Sequence, residues 1–85
     1  MNTTPSKEEL RKTLDAAWDA HREFQKVYLK GVRDEAWPGW YAAYVLGRLG
    51  DFMAASLLAS LLEAAPESDD WSKTAAEYVL REIGV

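Results

Sequence analysis

One histidine, one compact run of rings and one isolated arginine are the side chains in this sequence with chemistry to offer. His21 is the only histidine. An imidazole titrates near neutrality and can carry a proton, but catalysis needs a second group placed to work with it. No cysteine is present, so neither thiolate nucleophile nor thiolate metal ligand exists, and a lone histidine without matching ligands does not build a metal site. Ser56 and Ser60 lie one helical turn apart on a mildly polar face rather than on the strained turn that a nucleophilic serine occupies. The expectation is a protein without catalytic residues, metal or cofactor. A histidine among apolar neighbours reads first as a core residue held by one hydrogen bond, with a tyrosine hydroxyl of the second helix as the candidate partner.

The rings are concentrated in WPGWYAAYVLGRLG, residues 37–50. At 100° per residue, Trp40, Tyr44, Trp37, Arg48 and Tyr41 share one arc of about 100°. A neighbouring edge carries Gly39, Ala43 and Gly47, small residues that permit close helix approach. The rings have a use that needs no ligand. A chain of 85 residues buries only about 60 to 65% of its unfolded surface, and each large ring removes about 150 to 250 Å² from water. They are also the side chains, with arginine, that are enriched at binding hot spots. Arg48 can stack on the rings beside a surface carboxylate, or hold an anion there.

These residues need helices to hold them. Ser6 followed by Glu9 is a capping-box pattern, which opens a long helix over about 7–30 with Gly31 as its stop. Leu10, Leu14, Ala17, His21, Phe24 and Tyr28 form its apolar stripe. Pro38 suits the first turn of a second helix over 38–49, with Asp34 and Glu35 near its positive end and Gly50 as its stop. Asp51 can cap a third helix over 52–65, closed by Pro66. Ser68, Asp69 and Asp70 offer caps for a fourth over 70–83, with Trp71, Ala75, Tyr78, Val79 and Ile83 inward. No alternating run bounded by hairpin residues is present, so the fold expected is all-α, one four-helix domain with a long first helix packed by three shorter ones and residues 1–5 flexible. Residues 37–50 and 71–84 align without gaps through Trp37/Trp71, Tyr44/Tyr78, Val45/Val79 and Gly50/Gly84. A long first helix excludes a repeat solenoid, and convergence of two alanine-rich amphipathic helices explains the match better than duplication.

Of 10 basic and 14 acidic residues, only Arg48, Asp51 and Glu63 fall between positions 36 and 65. So small a fold is expected to leave part of that segment uncovered, and the simplest cover is a second copy of the chain. The leading expectation is therefore a non-enzymatic interaction module, a homodimer through helices two and three, with another protein as a further possible partner. The alternative is a pocket between helices one and two in which Trp37, Trp40, Tyr41 and Tyr44 stack on a small apolar or aromatic ligand and His21 or Arg48 orients it. A net charge of −4 without a basic cluster argues against nucleic acid. Uncharged runs such as Phe52 to Leu62 are too short to span a bilayer, so no membrane contact and a cytoplasmic location are expected.

Trp37-Pro38-x-Trp40-Tyr41-Ala42-x-Tyr44, preceded by Trp18, His21, Phe24, Tyr28 and Leu29 and followed by Asp70-Trp71, resembles a group of short bacterial helical proteins of uncharacterised function. The likeness runs from about Ala16 to Leu80. It implies a bacterial source and a compact helical fold, and it assigns no activity and no catalytic residue.

Overall fold

Ser6 and Glu9 exchange both bonds of a capping box: the Glu9 N–H donates to Ser6 Oγ at 3.1 Å, and the Ser6 N–H donates to Glu9 Oε1 at 2.9 Å. They start α1, Lys7–Tyr28, in a computed structural model that describes residues 4–32 and 34–84. Pro5 and Leu10 occupy the two positions of a hydrophobic staple, and both are buried. Of the start expected to be flexible, Thr4 is half-buried and Pro5 buried, and residues 1–3 lie outside the described residues. Leu10, Thr13, Leu14, Ala17 and His21 form the buried stripe, and Thr13 Oγ1 satisfies itself on the Glu9 carbonyl at 2.8 Å. The helix stops two residues before the expected end. Leu29 and Gly31 both donate to the Gln25 carbonyl, and the chain turns through Lys30 and Gly31 at φ of 52° and 83°. Glycine occupies the second of these left-handed positions without a Cβ clash.

Helix α2, Trp37–Leu49, begins one residue ahead of the expected start, with Pro38 buried in its first turn. Gly50 follows at φ 89° and ψ 164°, a conformation that essentially only glycine adopts. This geometry displaces the third helix. Asp51 does not cap it; Phe52 and Met53 sit half-buried in a bend, and α3 runs Ala55–Ala64 after an N-cap alanine. Helix α4 spans Trp71–Glu82, with Asp70 at its N-cap but without a side-chain cap bond. Asp70 Oδ1 accepts from Ser72 Oγ at 3.3 Å, and Ser68 and Thr74 share a hydroxyl bond of 2.7 Å.

Each helix packs against its neighbours in the chain, and α4 returns to α1, so α2 and α4 face each other across a diagonal. Leu10, Leu14, Val45, Leu58, Leu62 and Val79 are fully buried, each worth about 1.5 to 3 kcal/mol in removed apolar area. Ala17, Ala42, Ala75 and Ala76 are buried beside them and keep the helix axes close. The result is an all-α, four-helix body with one long helix packed by three shorter ones, 38 × 28 × 19 Å. No strand occurs among the described residues, and no helix is long and apolar enough to cross a membrane.

The charge-poor middle is covered more completely than its composition suggests. Tyr41, Ala42, Val45, Leu46, Leu58 and Leu62 are all buried. What α2 leaves outside is Gly39, Ala43, Gly47 and Arg48, and α3 leaves Leu57 half-exposed.

Candidate functional site

His21 lies at the point where α1 crosses the start of α2. Its ring is buried against Trp40 at 4.9 Å, Tyr41 at 5.3 Å and Phe24 at 5.9 Å between centroids. Its partner is not a tyrosine hydroxyl: Tyr41 turns its ring edgewise to the imidazole, at 62°, and the loop before α2 brings Asp34 within reach instead. Nε2 and Asp34 Oδ2 are 2.8 Å apart. An ionised carboxylate only accepts, so Nε2 carries the proton in this bond. The other oxygen, Oδ1, accepts from the Ala36 N–H at 2.9 Å, an Asx turn that sets the entry to α2. One carboxylate thus ties the long helix to the aromatic helix. The bond from His21 holds the Asp34 carboxyl below the ordinary carboxylate value; partial burial opposes this, and the Ala36 N–H adds to it.

The five residues of the aromatic arc divide around this bond. On one flank, Phe24 and Trp40 lie 5.8 Å apart, Trp40 stacks on Tyr44 at 5.6 Å and 17°, and Tyr28 extends the row from Phe24 at 5.5 Å. Arg48 closes it, its guanidinium 5.2 Å from the Tyr44 centroid and its Nη1 donating to the Tyr44 hydroxyl at 3.0 Å. The stacking expected of Arg48 is present, with a phenol oxygen where a carboxylate was expected.

On the other flank, Trp37, Tyr41 and Trp71 meet mutually edge to face, at 5.4, 5.7 and 5.8 Å with ring planes 78° to 82° apart. Such contacts suit the ring quadrupoles. Trp71 reaches them from the first residue of α4, across the diagonal. Burial, reinforced by the charge of Asp19, pushes the Tyr41 phenol up to about 12. With Trp18 of α1 and Glu67 these rings line an open groove of about 250 Å³. A second hollow of about 260 Å³ adjoins it through Trp18 and Trp71 and carries Asp15, Asp69 and Asp70.

Of the residues singled out in the sequence, Trp37 and Tyr41 line the groove, Trp40, Tyr44 and Arg48 form the closed stack, and His21 stands between the two sets. Trp18, Trp71 and Glu67 are the groove residues that sequence reasoning missed. Trp18 sits one turn beyond Leu14, at the edge of the α1 stripe, and is 51% exposed; a large ring at a stripe edge was the available signal. Glu67, Asp69 and Asp70 shortly before Trp71 were a second signal, of which Asp69 and Asp70 were read only as helix caps. Asp34 was legible as an acid near the start of α2 but not as the partner of His21, because the contact spans thirteen positions.

Among the described residues, no three histidine, aspartate or glutamate side chains converge to hold a metal ion. Compared with protein-family models, curated proteins and solved structures, the chain matches none.

Proposed function

We propose that this protein is a non-catalytic binding module whose groove between α1, α2 and α4 takes a small ligand presenting an apolar or flat group. The observation that carries this reading is the open hollow beside Trp18, Trp37, Tyr41 and Trp71, where Trp40 and Tyr44 on the neighbouring flank stack on each other instead. Leaving Trp18 half-exposed forgoes about 2 kcal/mol of apolar burial, so the fold does not draw full use from that ring. A volume of about 250 Å³ lies just below the usual range of ligand pockets and suits a ligand of modest size and micromolar to millimolar affinity. His21 in this reading is a structural clamp, enclosed by three rings and committed to Asp34, rather than a proton carrier.

Calorimetric titration with indole, phenol and benzyltrimethylammonium tests the reading. Saturable binding of at least one probe, lost in Trp18→Ala with the helical spectrum intact, is expected. Binding unaffected by that substitution, or no saturable binding by any probe, would overturn it.

Self-association through α2 and α3 is the second reading, and one observation favours it. Gly39 and Gly47 lie on the exposed side of α2, and a Cβ at either would meet nothing within 4 Å, so packing within the chain does not require glycine there. Sedimentation across the micromolar range decides it: a dimer dispersed by Ala43→Arg supports it, and a monomer at every concentration ends it.

A further inference from the structure

We propose that the occupant of the groove is a small organic cation of the quaternary-ammonium class, about the size of choline, an inference that rests on reading the groove as a binding site. Its walls and its rim point to the same chemistry. The walls are ring surfaces, whose negative faces attract a cation, most strongly in tryptophan. One of them already holds a cation: the Arg22 guanidinium carbon lies 4.6 Å from the Trp18 centroid.

The rim is acidic. Asp15, Glu67, Asp69 and Asp70 border the two joined hollows, and Arg11 and Arg22 are cations held beside them through Asp15 and Trp18. Arg11 is engaged by Glu8 and by Asp15 at 3.5 Å, with a longer-range attraction to Asp70, and Arg22 lies 3.9 Å from Asp19. Among the described residues, Glu67 and Asp69 make no ion pair, so neither guanidinium neutralises these two carboxylates. An anion meets repulsion at such a mouth, and a neutral ligand draws nothing from the rim.

The arrangement also separates classes of cation. A metal ion needs converging oxygen ligands, and here the acids are spread along exposed edges. A methylated ammonium is weakly hydrated and donates no hydrogen bond, so it can sit against rings while its counter-charges stay in water.

Choline and its neutral isostere 3,3-dimethylbutan-1-ol, added to the full chain at constant ionic strength, provide the test, read from the indole N–H resonances of Trp18, Trp37 and Trp71. Choline is expected to saturate and to bind about tenfold tighter than the isostere. The double substitution Glu67→Gln and Asp69→Asn, at exposed positions where folding is not at stake, should weaken choline about two- to threefold and leave the isostere unchanged. Equal affinities would overturn the cation assignment while the groove still stands as a site. Silence of choline with saturable indole binding would do the same. If choline, the isostere and indole all fail to move those resonances, the groove reading falls as well.

Discussion

The two flanks of α2 are built from the same pair of residue types, a tryptophan followed four positions later by a tyrosine, and they end differently. Trp40 lies 17° from the plane of Tyr44, and the next position on that line, four further on, is Arg48, which closes the row. Trp37 stands edgewise to Tyr41, and the next position on that line is Val45, which is fully buried. The residue one helical turn beyond the tyrosine thus decides whether a row of rings is finished by its own helix. On the second flank the completing groups come from elsewhere: Trp71 from α4, Trp18 from α1 and carboxylates from the loop between α3 and α4. The first flank ends on a cation of its own helix, with Phe24 and the exposed Tyr28 of α1 alongside. The second is left with open space and an acidic edge.

Tyr41 touches both sets, through Trp40 and His21 on one side and Trp37 and Trp71 on the other. Tyr41→Ala should therefore collapse the distinction, with a loss of about 3 to 5 kcal/mol in urea unfolding. A loss below 1 kcal/mol would mean that the rings do not depend on a shared member. His21→Ala, which removes the buried ring between the flanks, is expected to cost about 2 to 3 kcal/mol by the same measurement, and to shift the indole resonances of both Trp40 and Trp71.

The bond that holds His21 carries a pH signature. Because the Asp34 carboxyl is held below its ordinary value in the folded state, its contribution is present above about pH 4 and disappears as the pH falls through the lower folded value. Asp34→Asn should accordingly be less stable than the parent at about pH 6, and the two should converge toward about pH 2 in acid unfolding. At the alkaline end the sign reverses. Tyr41 is raised to about 12, so the stability tied to its neutral phenol is complete below about pH 10 and is lost as the pH rises through the folded value. Ultraviolet titration of tyrosinate should show a step at about pH 12 that Tyr41→Phe removes.

The smallest stability effects separate the flanks most cleanly. Trp18→Ala should cost about 1 to 2 kcal/mol and Arg48→Ala about 1 kcal/mol or less. Only the first should abolish ligand binding, which calorimetry can check, because Arg48 serves the closed row alone.

Helix content and order were legible because the signals were local. The Ser6–Glu9 box, the α1 stripe and the stops at Gly31 and Gly50 act within a turn or two of the chain, and each helix appears within three residues of its expected position. The start of α3 was not legible, since Asp51 reads as a cap but Gly50 adopts a conformation that sends Phe52 and Met53 through a bend first. The site was half legible for a related reason. Helical spacing put Trp37, Trp40, Tyr41, Tyr44 and Arg48 on one arc, but whether an arc becomes core, stack or groove depends on what other helices bring to it. Trp18, Trp71 and Asp34 reach it across separations that no periodicity encodes. The alignment of residues 37–50 with 71–84 has a structural counterpart: Trp37 and Trp71 open their helices and touch at 5.7 Å, Val45 and Val79 are both fully buried, and Tyr44 and Tyr78 each lie beneath an arginine.

Whether one flank is closed while the other takes a ligand is decided by following all four indole N–H resonances while the tightest-binding probe is added. Saturable shifts at Trp18, Trp37 and Trp71 with Trp40 unmoved are expected. Shifts as large at Trp40, or saturation with the three groove tryptophans unmoved, would contradict that division of the flanks.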